Sequence, residues 1–369
     1  MRIGVDAREL RRSRMTGIGR FLTNLLCGLT SIDAVNEYIL FGYPDLEPGC
    51  DAKNLTKVLR SGTSTLLWDQ FYLPSAVKKH KIDVFFSPYS KIPFFADCGL
   101  VLTHHDFTFF SYPEYKKRFF YNLYLKAAMG VFNKRAKKMI CVSEFTKLEL
   151  AKYFGPPPEK TAVMPESPWP GFSPRGADLV DRARKKYSLD KPYLLCMGNA
   201  NPHKNINGLV SAYEALPQSV KEKYSLALGG GAHSAAVGVK NLRYVTDEDL
   251  AALYSGAELF VFPSFWEGFG LPPLEAMACG CPVISSNASC MPEVLGGACL
   301  YFDPYKTEEI SAKIIEVLGN AGLRDELKQK GLERAGFYTP EKMAARFLEI
   351  VNSIQRGNED VRHMRFFKL

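Results

Sequence analysis

Phe260-Val-Phe-Pro-Ser-Phe-Trp-Glu-Gly-Phe-Gly-Leu-Pro-Pro-Leu-Glu-Ala-Met-Ala-Cys-Gly-Cys-Pro-Val-Ile-Ser285 reads as strand, loop, short helix and strand. Pro272 and Pro273 suit the first helical turn, where an amide hydrogen is not needed, and Gly280 suits a left-handed stop. Glycine puts no side chain in the way, so the loop Gly268-Phe269-Gly270-Leu271 can bring its amides close to a ligand, and the helix behind adds a positive end. This is an anion site. Glu267 in the loop and Glu275 in the first turns of the helix, eight residues apart, flank it. Such carboxylates can accept hydrogen bonds from sugar hydroxyls, one on a transferred sugar and one on a ribose. Taken bare, Glu275 is equally a residue that complements the helix dipole.

The same alternation extends to both sides. Before it lie the short apolar runs Ile3-Gly4-Val5, Tyr38 to Phe41, Val84 to Phe86, Leu100 to Leu102 and Met139 to Val142; after residue 190 come Tyr193 to Met197, Ser225 to Leu228, Leu242 to Val245, Leu259 to Phe262 and Pro282 to Ser285. Helix-like stretches separate them, which is the pattern of buried parallel strands. Residues 156–174 hold seven prolines and read as a linker,. At 369 residues the chain suits two cores rather than one,. The expected organisation is a first doubly wound α/β domain over 1–165, a second over 166–338, and a closing amphipathic helix and tail over 339–369 that returns to the first. Ligands of open parallel sheets lie beyond the carboxyl ends of the strands, so two such domains facing each other are expected to form a cleft there.

Composition excludes disorder, with 46% apolar residues. Nine scattered cysteines without a C-x-x-C pair argue against a zinc site or a disulfide framework and for a reducing compartment,. No stretch has the length of a membrane-spanning helix, and the N-terminus runs straight into a strand, so a cytoplasmic protein is expected. The formal charge of +8 is one-sided: residues 1–150 hold 22 Lys and Arg against 14 Asp and Glu, the remainder 25 against 25. An acidic partner of the first domain, such as membrane headgroups, accounts for this, as does plain solubility. The basic residues cluster at Arg8-Arg11-Arg12-Arg14, Lys78-Lys79-Lys81, Lys116-Lys117-Arg118 and Lys134-Arg135-Lys137-Lys138, the third flanked by Phe109, Phe110, Tyr112, Tyr115 and Phe119 to Tyr121.

Other landmarks follow strands. Leu194 to Ile206 is a strand ending in Gly198, with Lys204 in the next loop, where a cation can neutralise a pyrophosphate leaving group,. Thr16-Gly17-Ile18-Gly19-Arg20 is a G-x-G that a tight turn into a helix explains as well as phosphate binding,. His105-Asp106 follows the run 100–102. Asp247-Glu248-Asp249 has the look of a D-x-D metal motif but opens a helix, where acids cap the N-terminus. No cluster with metal-ligand spacing appears, so no metal is expected.

The 255–305 region closely resembles the signature of glycosyltransferase family 4, retaining enzymes of GT-B fold, whose E-x7-E element stands here as Glu267 and Glu275. Weaker landmarks extend the resemblance over nearly the whole chain. It implies that Glu267 contacts the donor sugar, Glu275 the ribose, and Lys204 with the 268–271 loop and Gly198 the diphosphate. It also implies that Gly17 and Gly19 lie beside phosphates and acceptor, that His105 touches the donor sugar, and that Arg20 and Asp106 serve the acceptor. His203, expected beside the donor phosphates, stands where many relatives carry arginine, and Met164-Pro165-Glu166-Ser167-Pro168 where many have a different hinge. The implied activity is retaining transfer of a hexose, best matched to mannose from GDP-mannose, onto a glycan or polyprenyl-diphosphate-linked saccharide, without a cofactor and without nucleic acid. Contact with the inner face of an anionic membrane is an expectation from the charge. A non-catalytic sugar-nucleotide-binding subunit is an alternative; a nicotinamide oxidoreductase lacks its third glycine and leaves Glu267 and Glu275 unexplained.

Overall fold

Parallel pairing of short, apolar strands organises each half of the chain. The computed structural model describes residues 1–11, 16–62, 64–117, 119–242 and 245–366. It divides into two units, Met1–Ser111 with Tyr115–Ser167 and Thr339–Leu369, and Tyr112–Glu114 with Pro168–Tyr338.

The first unit is built on β1 (Arg2–Asp6), β2 (Glu37–Gly42), β3 (Leu55–Leu59), β4 (Val84–Ser87), β5 (Gly99–His104), β6 (Lys138–Cys141) and β7 (Thr161–Val163), in the order β3-β2-β1-β4-β5-β6-β7. The second holds β8 (Tyr193–Met197), β9 (Ser225–Gly229), β10 (Val239–Asn241), β11 (Leu259–Phe262), β12 (Val283–Ser286) and β13 (Leu300–Phe302), in the order β10-β9-β8-β11-β12-β13. Both orders run outward from a first strand in two directions. The strand order therefore reverses between β1 and β4 and between β8 and β11, leaving a crevice at each reversal.

The central strands occupy the apolar runs, and the departures are all at sheet edges. β3, Leu-Thr-Lys-Val-Leu, is largely exposed, so it carries polar residues that hide it from a reading by apolar runs,. β7 sits inside the proline-rich segment read as a linker; the prolines at 156–158 and 165 bracket a proline-free Thr161-Ala162-Val163 that pairs with β6. β13 is likewise half-exposed. The strand expected at 242–245 lies instead at Val239–Asn241, paired with β9; residues 243 and 244 lie outside the described residues.

The helix Gly17–Ile32 presents Phe21, Leu22, Leu25, Leu26 and Leu29 to the first unit's interior, a stripe at helical spacing. The closing helix Pro340–Phe366 packs against it. Gly28 makes this approach possible, because a Cβ there would lie 2.0 Å from the Pro340 carbonyl oxygen. Phe347 meets Phe86 edge-on at 4.8 Å, and Arg346 Nε donates to the Val163 carbonyl at 3.0 Å. In the second unit, Leu194, Leu226, Val261 and Ile284 from the strands pack with Leu209, Tyr213, Ile310 and Ile314 from helices. Truncating any one such leucine or isoleucine to alanine costs about 2 to 5 kcal/mol.

Candidate functional site

The crevice between β8 and β11 gathers the second unit's candidates. β8 ends at Met197, and Gly198 continues it by donating its amide to the Gly229 carbonyl at 3.0 Å. Gly230, at φ +75°, approaches so closely that a Cβ would lie 2.9 Å from the Gly198 oxygen. Three successive glycines, Gly229 to Gly231, therefore close this strand end without side chains. In the sequence they stand only as a glycine run, without a motif around them.

Lys204 ends the short 3-10 turn Pro202–Lys204. Asn205 follows in the left-handed region, φ 53°, with its amide Nδ2 donating to the carbonyls of Pro263 at 3.2 Å and Pro304 at 2.9 Å. These bonds tie the lysine loop to the strand ends beside it. Lys204 Nζ lies 2.7 Å from Glu267 Oε1, both side chains largely buried. Two residues that the sequence separates by 63 positions thus form one ion pair. His203 holds the same platform through its carbonyl, which accepts from the Phe265 amide at 2.7 Å. Phe265 stacks between Tyr112, 6.1 Å away, and Tyr305, 4.6 Å away. Tyr112, which in sequence flanks the third basic cluster, is buried in this stack, because neighbours in sequence need not share a surface.

The Glu267 amide donates to Ser289 Oγ at 3.1 Å, which orients the glutamate from behind. Beyond it, Gly270 adopts φ +91° at the start of the helix Leu271–Ala278. That φ strains any L side chain and so favours glycine, and a Cβ there would also displace Met291 Cε, 2.4 Å away,. Pro272 and Pro273 remove two donors from the first turn, so the N–H groups at this helix start are mainly the loop amides,. Among the described residues those of Phe269 and Gly270 have no protein acceptor. Glu275 is buried at 4% exposure and accepts from the Tyr254 hydroxyl at 3.2 Å. Residues 247–249 form the first turn of the helix Asp247–Gly256, whose cap Thr246 accepts from the Asp249 amide. Among the described residues no three His, Cys, Asp or Glu side chains form a cluster suited to a metal.

In the first unit the Gly17–Gly19 loop is the opening turn of its helix: Thr16 caps it by accepting from the Gly19 amide at 3.0 Å, and the space beside Gly17 is open. Arg20 sits in the same turn, its amide bonded to the Thr16 carbonyl. Asp106 is exposed and accepts from the Thr108 amide at 2.8 Å, closing the turn after β5. Ser143 caps the helix Glu144–Phe154.

His105 is held by partners the sequence did not suggest. Its Nδ1 lies 2.9 Å from Glu166 Oε1 and its Nε2 3.0 Å from the Pro88 carbonyl. Both nitrogens face acceptors, and only the imidazolium has two N–H groups to give them. Burial works against the charge, but the Glu166 carboxylate and the Pro88 carbonyl outweigh it and raise the pKa. The neighbouring His104 has the opposite fate: burial holds it neutral, lowered to about 3. Both ring nitrogens of His105 are thus engaged within the protein, so neither is a free base. Its folded pKa is raised, so the ion pair stabilises fully below the unfolded value of about 6.5 and fades as pH rises through the folded pKa. Glu166→Gln is accordingly expected to lower the His105 pKa in an NMR titration. The gap in thermal midpoint between variant and parent should shrink from about pH 6 to pH 9. A His105 titration unchanged by the substitution would remove Glu166 from this role.

Comparison with known proteins extends the picture. The description "Glycosyl transferases group 1" matches residues 180–334 and "Glycosyltransferase Family 4" matches residues 16–166. The chain is 31% identical over 363 residues, 90% of its length and 94% of the relative's, to O-antigen chain mannosyltransferase B of Escherichia coli. It is 29% identical over 222 residues, 56% of its length, to the serotype-specific mannosyltransferase WbdA of the same organism, of which it covers 27%. The structure of Anabaena Alr3699/HepE in complex with UDP and glucose superposes with a TM-score of 0.74 at 17% identity, covering 95% of this chain and 99% of that one.

Proposed function

The chain belongs to glycosyltransferase family 4 and is a hexosyltransferase of GT-B fold, and from that premise we propose that it transfers mannose from GDP-mannose, with retention, to a hydroxyl of a glycan or polyprenyl-diphosphate-linked saccharide in polysaccharide assembly. One observation carries this reading: Lys204, Glu267 and the glycine loop meet at the crevice between β8 and β11. That grouping offers a diphosphate a cation and amides, and offers a sugar a carboxylate. The relative's designation as an O-antigen chain mannosyltransferase supports the sugar and the setting.

In the proposed reaction the bond from the anomeric carbon to the phosphate oxygen breaks, and the acceptor oxygen bonds to that carbon on the same face. The acceptor proton passes to an oxygen of the leaving diphosphate. The protein's part is positioning and charge stabilisation: Lys204 and the loop amides meet the charge that develops on the diphosphate. Glu275 holds the ribose and Glu267 the transferred sugar. Incubation with labelled nucleotide sugars and a thermal-shift panel of GDP, UDP and ADP tests this. Transfer or slow hydrolysis of GDP-mannose is expected, and stabilisation by GDP above the others. Nucleotide-sugar binding without turnover would favour a non-catalytic subunit, and NADH oxidation a reductase. Neutralisation by Lys204 and amides requires no metal, so activity is expected to survive excess EDTA; magnesium-reversible loss would overturn that part.

The proposed place of action is the inner face of the cytoplasmic membrane. Some of the basic residues counted toward it do not serve: Arg8 is buried, Arg11 pairs with Asp45, and Arg12, Arg14 and Arg118 lie outside the described residues. The helix Phe119–Arg135 supports the idea better. Phe120 at 84% exposure, Tyr124 at 68% and Val131 at 50% share one face,. Beside it a groove of about 590 Å³ is lined by Leu123 and Phe154 and edged by Lys126, Lys134 and Lys160. Apolar rings amid lysines suit an anionic interface, each lysine adding on the order of 1 kcal/mol at low salt. The protein is expected to sediment with anionic vesicles, less so at high salt, and Phe120→Ser with Tyr124→Ser to abolish this. Equal binding to neutral vesicles, or none, would point to a soluble acceptor. Among the described residues no helix is long and apolar enough to cross a membrane.

A further inference from the structure

We propose that Cys27 and Cys50 form a reactive dithiol in the first unit, a modification site that a hydroperoxide oxidises to a disulfide. The pair takes no part in the transfer chemistry above and stands independently of it.

The loop that joins β2 to β3 lies against the helix Gly17–Ile32. Gly49, at φ +76°, makes the approach possible, because a Cβ there would lie 2.9 Å from Thr23 Cγ2. Cys50 is the next residue. Thr23, Cys27 and Thr30 are spaced four and three residues apart, so they share the helix face that meets this loop,. Cys27 Sγ lies 3.8 Å from the Gly49 carbonyl oxygen, and Cys50 Sγ 3.9 Å from the Pro48 carbonyl oxygen. The two thiols also hydrogen-bond each other, and the Thr30 hydroxyl reaches Cys50. Helix and loop both belong to the first unit, so a bond between the sulfurs joins two elements that are already packed together.

All nine cysteines lie within the described residues; six are buried, and Cys27, Cys50 and Cys98 are half-buried. Burial pushes Cys98 up to about 12, where a thiol keeps its proton and stays inert,. Cys50 goes the other way. The hydrogen bond from Cys27 outweighs its burial and, with Thr30 and Lys57 helping against Asp51, brings it down to about 7. Cys27 is raised, by keeping the shared proton and by burial. A half-exposed thiolate beside a protonated second thiol is arranged for attack followed by resolution.

In the first step the Cys50 thiolate attacks the terminal oxygen of the hydroperoxide. The S–O bond forms, the O–O bond breaks, and the departing oxygen takes a proton from solvent and leaves as water or an alcohol. Cys27 Sγ then attacks the sulfenic sulfur. The S–S bond forms, the S–O bond breaks, and hydroxide leaves as water with the Cys27 proton. Each sulfur has lost one electron and the peroxide has gained both. A dithiol reductant reverses the bridge by exchange.

The reduced full chain, treated with a small excess of hydrogen peroxide, quenched with iodoacetamide and mapped by mass spectrometry, tests this. The expected main product is the peptide pair cross-linked through Cys27 and Cys50, released again by dithiothreitol. Cys50→Ser should abolish the bridge and slow peroxide consumption at least about tenfold. Cys27→Ser keeps a hydroxyl donor beside Cys50 and should leave it as a sulfenic acid that dimedone labels. Cys98→Ser should leave the bridge unchanged. Oxidation of Cys98 or a buried cysteine ahead of Cys50, or sulfinic acid at Cys50 of the parent in place of the bridge, would overturn the proposal. So would peroxide consumption unaltered by Cys50→Ser, or no reaction with peroxide at all.

Discussion

Lys204→Ala is expected to lower turnover by about two to three orders of magnitude, the largest loss of any single substitution in the second unit. The diphosphate leaving group gains charge as the anomeric bond breaks, and Lys204 is the cation held at the crevice by the Asn205 bonds and the ion pair to Glu267. Removing it also leaves the Glu267 carboxylate, 12% exposed, without its neutralising partner beside an anionic donor,. Ground-state affinity for GDP should fall less than turnover, because the charge is greatest in the transition state. Lys204→Arg keeps the charge and should recover part of the rate. In a double-mutant cycle with Glu267→Ala, the losses should add to less than their sum, since each residue holds the other in place. Steady-state kinetics with GDP-mannose decides; a turnover number for Lys204→Ala within about threefold of the parent would remove the lysine from the reaction.

Glu275→Gln is expected to weaken GDP binding about 10- to 100-fold, as loss of a hydrogen bond from ribose to a charged partner would. Glutamine matches the shape of glutamate, so the buried site, with Tyr254 at 3.2 Å, stays packed. That choice separates binding from folding, which Glu275→Ala would not at 4% exposure. Tyr254→Phe removes the hydroxyl that donates to Glu275 and should produce a smaller effect in the same direction. Calorimetric titration of GDP, with the thermal midpoint of the free protein as control, measures both. Unchanged affinity alongside a lowered midpoint would make Glu275 a structural acid, and the helix-dipole reading would then stand.

The sequence by itself determined the layered α/β architecture, most of the central strands, the glycine loop before Leu271–Ala278 and the order of Gly198, Lys204, Glu267 and Glu275. These follow from local rules: buried parallel strands need unbroken apolar runs, a left-handed residue needs glycine, and ligand residues follow strand ends. The edge strands β3, β7 and β13 escaped because half-exposed strands need no such run. Only the tertiary structure decided which charges meet. Lys204 and Glu267 pair across 63 residues, Arg8 and Asp69 across 61, and His105 and Glu166 across 61. Arg8, which adjacency in sequence grouped with surface cations, proved to be buried among carboxylates, and Glu166, which stood out only as a departure in a hinge, proved to be the partner that raises the His105 pKa. Charge interactions act through space at a few ångströms, and strand order rather than chain order sets which loops come that close.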